Sequence, residues 1–326
     1  MRLFLFSTIV MFLTLISAQG SGFAANLTET SAPALIVMPD DGANPLERII
    51  SESGKSIDIV MHRLDDERIL KAISAAAKRG IKVRAMLEKY PQGIGGENVK
   101  AQKALEAAGA FTKWGNPEFG STFQRTLIVD SRAAYVSTFD FTQEALKGAR
   151  GFVIKLVDPR EVKEVAEAFE ADWKRKRETP VSAKLAWAPT FARRRISDLI
   201  RGARHSLFIY SERVGDTEVE RELERAIKRG IAVKIIVGDS EGANGPGVTS
   251  LKQLGARVHV MKKPKLMANA ILVDAGYKDE VVLVGSLDLS TFSLDRDRGL
   301  AVLISDQSRI IRLKKIFESD FSKTSD

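Results

Sequence analysis

The chain has 326 residues, with 50 Lys and Arg against 42 Asp and Glu, a formal charge of +8, three His and no Cys. The lack of cysteine excludes a disulfide scaffold, a thiol enzyme and a cysteine zinc site, while 44% hydrophobic and 28% charged residues fit ordinary globular cores and exclude a disordered chain. The positive balance favours encounter with an anionic ligand, a phospholipid headgroup or a nucleic acid, and says nothing about fold.

Residues 1–25 read as a signal peptide: Arg2, an apolar run over residues 3–16, then small residues, with cleavage expected after Ala18 or Ala24. The run is short for a membrane span, and with no charge between Arg2 and Glu29 an uncleaved anchor is the alternative. The expected location is periplasmic or secreted, and the absence of Cys suits an oxidising compartment. No integral membrane domain is expected beyond this segment.

Further along, Asn44 before Pro45 reads as a helix start, with the Asn side chain free to cap. Residues 57–64 read as a strand. Asp65 or Asp66 then opens a helix whose Ile69, Leu70, Ile73 and Ala77 share a face, closed by Lys78, Arg79 and Gly80. The Gly-rich stretches 91–96 and 241–247 lack phosphate-loop spacing and read as surface loops. Residues 125–130, 135–139, 269–274 and 281–285 are rich in Val, Ile and Leu, as strands covered on both faces should be. The polar stretch 174–180 ends at Pro180 and places a boundary near Thr179.

The chain also repeats itself. ALIVMPDD from Ala34 and KLAWAPTF from Lys184 lie 150 residues apart, and the same offset carries Pro39 onto Pro189, Ser56 onto Ser206 and Ile59 onto Ile209. VSTFDFT from Val136 matches VGSLDLS from Val284, GFVIKLVD from Gly151 matches GLAVLISD from Gly299, and FEADW from Phe169 matches FESDF from Phe317. Two long copies imply two similar α/β lobes, residues 33–178 and 180–323, rather than an array of short repeats.

Each copy has an apolar strand ending in Asp130 or Asp274, a short turn, and a segment like V-G-S-x-N. In this the chain resembles the phospholipase D superfamily over nearly all of residues 33–323. The resemblance implies two lobes related by a pseudo-twofold axis, each a mixed sheet flanked by helices. In that family each lobe supplies H-x-K-x4-D and then G-S-x-N to one shared site. One His attacks phosphorus, the other protonates the leaving oxygen, and Lys and Asn hold the phosphate oxygens.

Both motifs are degenerate here. FQRTLIVD sets Phe123, Arg125 and Asp130 at the first His, Lys and Asp positions, and MANAILVD sets Met267, Asn269 and Asp274 at the second. The later segments supply Ser137, Thr138 and Asp140 in one copy and Gly285, Ser286 and Asp288 in the other. Phe and Met can neither attack phosphorus nor carry a proton, so the family's double displacement has no route through these positions. The family's two lysines contribute +2, whereas Arg125, Asp140 and Asp288 sum to −1. A carboxylate about 5 Å from a phosphate costs roughly 3 kcal/mol at an effective dielectric near 20, so phosphate is no longer the obvious ligand.

Other groups offer weaker chemistry. His62 and Glu212 occupy matching positions and are candidate substitutes in a different hydrolase with Asp140 and Asp288, against a structural, hydrogen-bonded His62. Asp140 with Asp288 is a candidate start to a divalent cation site, against satisfied carboxylates; no metal and no cofactor is expected. His205 and His259 read as surface residues. Basic runs at 174–177, 193–195 and 262–265 are candidate paths for nucleic acid or anionic lipid, against solvated faces, and have no interleaved aromatics for base stacking. The expectation is an exported phospholipase D-like protein lacking phosphodiesterase activity and acting by binding an unidentified ligand or protein partner. The alternatives are an active phosphodiesterase, phosphatidyltransferase or nuclease with a rebuilt site, or the His62-based hydrolase.

Overall fold

The computed structural model describes residues 33–91, 97–177, 183–239 and 245–325. The signal segment, the boundary at Thr179 and most of both Gly-rich stretches lie outside the described residues. No described helix is long and apolar enough to cross a membrane.

The first sheet runs, edge to edge, Leu35–Met38, Ala149–Leu156, Ala133–Ser137, Thr126–Val129, Ser56–Met61, Lys82–Leu87 and Phe111–Trp114. The second runs Leu185–Trp187, Leu300–Ile304, Val281–Gly285, Ala270–Val273, Ser206–Ser211, Ala232–Gly238 and Arg257–Met261. Strand for strand the orders agree, so the repeat in the sequence is a repeat in topology. In each sheet the last three strands pair in parallel and the others antiparallel, giving a mixed sheet.

The burial of both sheet faces explains the unbroken apolar runs. One face of each sheet lies under its own lobe's helices, among them Glu67–Lys78 in the first lobe and Thr217–Lys228 in the second. The opposite faces, with the helices Pro159–Trp173 and Gln307–Lys323, form one core shared by both lobes. Asp66 caps the helix after it by accepting from the amides of Arg68 and Ile69. Asn44 does not cap: it is already helical, Ala43 stands at the cap position, and no side chain bonds there. The strand expected over 57–64 stops at Met61, because the next two amides, of His62 and Arg63, donate to Asp140 instead of to a neighbouring strand.

Two arginines join the lobes by exchanging partners. Arg150, at the start of the first lobe's last strand, donates from Nε and Nη2 to Asp320 of the second lobe's terminal helix at 2.7 and 3.0 Å. Its counterpart Arg298 donates from Nε to Asp172 of the first lobe's terminal helix at 2.8 Å. The backbone follows the same exchange: the amide of Phe123 donates to the Arg298 carbonyl and that of Met267 to the Arg150 carbonyl, both at 2.9 Å. The two positions of the expected histidines are therefore pinned at the seam by the partner lobe.

Candidate functional site

The register brings three chain segments of each lobe to one end of its sheet. In the first lobe Val60 pairs with Thr126 and Thr126 with Val136, so His62, Arg125 and the turn carrying Thr138 and Asp140 lie together. In the second, Tyr210 pairs with Ala270 and Ala270 with Val284, which gathers Glu212, Asn269 and the turn carrying Ser286 and Asp288. Where these ends face each other there is a cleft of about 230 Å³, lined by Phe123, Arg125, Glu212, Arg213, Ser286, Asp288, Ser293 and Asp297.

Charge in the cleft is largely matched, arginine to aspartate. Arg125 is buried and donates to Asp140 Oδ2 from Nε at 3.2 Å, with Nη2 at 3.1 Å from the same oxygen. It also donates to the Thr138 carbonyl, and its Nη1 lies 3.7 Å from Glu212. Burial works against its charge, but Asp140 and Glu212 outweigh burial and raise its pKa. Arg213 donates to Asp288 Oδ2 from Nε and Nη2 at 2.8 and 2.7 Å; there too burial is overcome, and the pKa rises. The Oδ1 of Asp140 accepts the amides of His62 and Arg63, and that of Asp288 accepts the amide of Ser290.

The remaining carboxyl groups are held less favourably. Burial, reinforced by Asp288 and opposed by Arg125, pushes Glu212 above the usual range although Asn269 donates to it at 3.1 Å. Asp297 is 2% exposed, and its Oδ1 has no hydrogen-bond partner among the described residues. Burial and the neighbouring Asp288 push its carboxyl up to about 7.

A family model described as "Cardiolipin synthase, PLD-like domain" matches residues 46–173 and again 196–321. The chain belongs to the phospholipase D superfamily. Solved structures agree on the fold. A polyphosphate kinase from Porphyromonas gingivalis superposes with TM-score 0.68 at 18% identity, covering 87% of this chain and 49% of its own. The chain thus spans about half the length of that kinase. A phosphatidylserine synthase from Haemophilus influenzae superposes with TM-score 0.64 at 12% identity, covering 90% of both chains. At these identities the likeness is one of fold alone. No curated protein matches the chain.

Seen as a phospholipase D-like pair of lobes, the motif positions divide by role. Asp130 and Asp274 lie away from the cleft, in left-handed conformation with φ of 56° and 50°. Asp130 accepts the amides of Gly54, Lys55 and Ser56, and Asp274 those of Arg204, His205 and Ser206, so each holds the start of a strand, Ser56–Met61 or Ser206–Ser211. Asp130→Ala should therefore lower stability by about 2–3 kcal/mol, the cost of orphaning amides bonded to a charge, while ligand binding in the cleft persists; urea melts beside a binding titration check both. Thr138 Oγ1 donates across the seam to the Met267 carbonyl at 2.7 Å, whereas Ser286 bonds within its own lobe to Leu300. Asn269 Oδ1 accepts the amide of Glu212.

Several expectations are corrected. Phe123 lines the cleft, but Met267 does not face it: strand Lys265–Leu266 pairs with the first lobe, and the thioether packs on that lobe's core. Asp140 and Asp288 are each engaged by an arginine of their own lobe, Arg125 and Arg213, as satisfied carboxylates would be. No group of three or more His, Asp or Glu able to hold a metal occurs among the described residues. His62 is buried and its ring stacks on Phe123, centroids 3.9 Å apart; its amide donates to Asp140 and its carbonyl accepts from Asn98, while ring Nδ1 has no hydrogen-bond partner among the described residues. Burial lowers its pKa against the pull of Asp140. His205 is exposed, but His259 is half-buried, with Nδ1 3.0 Å from the Phe321 carbonyl.

The basic runs are partly neutralised from within. Arg193 pairs with Asp216 and Asp295, Lys174 with Glu170, and Lys265 with Glu144. Arg213 and Asp297 were absent from the sequence-derived candidates. Arg213 corresponds to Arg63 at the same 150-residue offset, and Asp297 stands where the first copy has Ala149 in the matching A-R-G and D-R-G triplets.

Proposed function

We propose that this phospholipase D-like protein works outside the cytoplasm as a binding protein, without the superfamily's phosphodiester chemistry. One observation carries the reading: Phe123 and Met267 occupy the two positions where the double displacement needs imidazoles. Their surroundings support it. Arg125, at the first lysine position, is already committed to Asp140 and the Thr138 carbonyl, and Asn269, at the second, serves Glu212. Among the described residues the histidine near the cleft is His62, which is buried and stacked beneath Phe123.

The purified chain, assayed with bis(p-nitrophenyl) phosphate and with phosphatidyl lipids, is expected to show hydrolysis no faster than buffer, with or without divalent metal. Turnover accompanied by a trapped phospho-enzyme would replace this reading with an active phosphodiesterase, and turnover lost in His62→Ala would replace it with the His62-based hydrolase. Export is tested by fractionation and by the mass of the mature N-terminus, expected to begin after Ala18 or Ala24. Binding to DNA or anionic vesicles through the basic runs would show as affinity that falls steeply with salt.

A further inference from the structure

We infer that Asp297 is a proton-operated latch on the seam beside the cleft: while its carboxyl is neutral the backbone strip around it stays stitched to the first lobe, and when it is charged that strip parts. The inference goes beyond the binding reading and does not depend on it. The strip consists of three bonds. The amide of Gly120 donates to the Arg296 carbonyl at 2.7 Å, that of Arg298 to the Ser121 carbonyl at 2.8 Å, and that of Phe123 to the Arg298 carbonyl at 2.9 Å. Asp297 sits between the two stitched residues of the second lobe, so a backbone shift that carries its carboxyl to water breaks these bonds. Because Phe123 lines the cleft, parting the strip also widens it.

Held shut, the strip leaves the charged form of Asp297 badly placed. The residue is buried in the cleft wall, and its Oδ1 has no hydrogen-bond partner among the described residues. A buried carboxylate short of such bonds is costly, whereas the neutral acid needs far less solvation. The groups that act on it divide by sign: Asp288 of its own lobe and Glu88 of the first lobe repel the charged form, while Arg213 and Arg125 attract it. Both guanidinium groups are bonded elsewhere, Arg213 to Asp288 and Arg125 to Asp140. Glu88 is fixed at the seam by accepting the amide of Thr122 at 3.0 Å. Glu212, in the same cleft, lies 3.7 Å from Arg125, and His62 stacks on Phe123. The balance pushes the Asp297 carboxyl up to about 7, so its charge changes near neutral pH.

The pseudo-symmetric strip supplies the contrast. There Lys265–Leu266 pairs with Ala149–Arg150, and the Met267 amide donates to the Arg150 carbonyl at 2.9 Å, the counterpart of the Phe123 bond. Ala149 stands where the second copy has Asp297, so this strip is stitched in the same way without the carboxyl.

Hydrogen exchange of the full chain, followed by mass spectrometry and read as protection factors so that the intrinsic pH dependence of exchange drops out, tests the latch. If opening returns Asp297 to its ordinary 3.8, the open fraction of the strip rises about tenfold between pH 6 and pH 8.5. Peptides containing Gly120, Phe123 and Arg298 are expected to lose protection by that factor, and the peptide containing Met267 to lose much less. Asp297→Asn should abolish the pH dependence of the first strip and leave that of the second unchanged. Should the variant fail to fold, the comparison of the two strips in the parent chain still decides. Protection that stays constant in the first strip, that falls equally in both, or that still falls in Asp297→Asn would overturn the inference.

Discussion

Arg298→Met is expected to destabilise the protein by about 3–5 kcal/mol, the usual cost of leaving one member of a buried ion pair behind. Arg298 is 1% exposed, bonded to Asp172 at 2.8 Å and sandwiched by Phe119 and Trp187, each centred within 5 Å of its guanidinium. Removing the guanidinium strands a carboxylate that is itself buried, with Asn116 donating to it at 3.4 Å and Arg175 acting on it at longer range. Burial lowers the Arg298 pKa and raises that of Asp172, each in spite of the partner's attraction, so the pair is one in which desolvation rivals Coulomb attraction. It follows that Arg298→Met combined with Asp172→Leu should lose far less than the two single changes added together. Guanidinium melts of the four proteins measure the cycle, and strictly additive losses would refute the account. The pseudo-symmetric Arg150 differs: it also donates to the Met38 carbonyl and to the half-exposed Asp40, and its pKa is raised. Removing its guanidinium leaves Asp320 with the Tyr210 hydroxyl at 2.7 Å, and Arg150→Met should cost less than Arg298→Met.

These arginines mark how far the amino-acid sequence could be read. Their positions were visible, because A-R-G-F and D-R-G-L precede matching strands and FEADW and FESDF close matching helices. That each arginine pairs with the other copy's helix was not visible, since an internal offset cannot say whether equivalent groups meet within a lobe or between lobes. The same limit explains Met267. Its equivalence to Phe123 held, and both amides bond across the seam, yet the thioether packs on the first lobe's core while the benzyl ring lines the cleft. Strand interiors were legible from their apolar runs, but their ends were not. Arg125, Asp130 and Asp274 belong to apolar runs that read as strands, yet have positive φ just beyond the ladder. Asp297 lies outside the residues shared with the family's motifs, and its mark in the sequence is a difference between the copies, a carboxylate where the other copy has Ala149.

Asp297→Asn should make the ligand-free protein more stable at pH 8 while leaving it nearly unchanged at pH 4. In the folded state the carboxyl is pushed up to about 7 from its ordinary 3.8, by burial first and then by Asp288, with Glu88 adding to the effect and Arg213 and Arg125 opposing it. Between those two pH values the folded protein holds a proton that the unfolded chain has released, so stability falls as pH rises and levels off above about 7. Three pKa units correspond to at most about 4 kcal/mol at 1.36 kcal/mol per unit. Asparagine has no proton to lose, and the variant should lack this part of the slope. Glu212, also raised, contributes a slope of the same sign in both proteins, so the deciding quantity is the difference between variant and parent in denaturant midpoints from pH 4 to 8. A difference that grows with pH and saturates near neutrality is the expected result. A flat difference would mean that Asp297 is ionised throughout and already paired, and the account of its burial and of Asp288 beside it would fail.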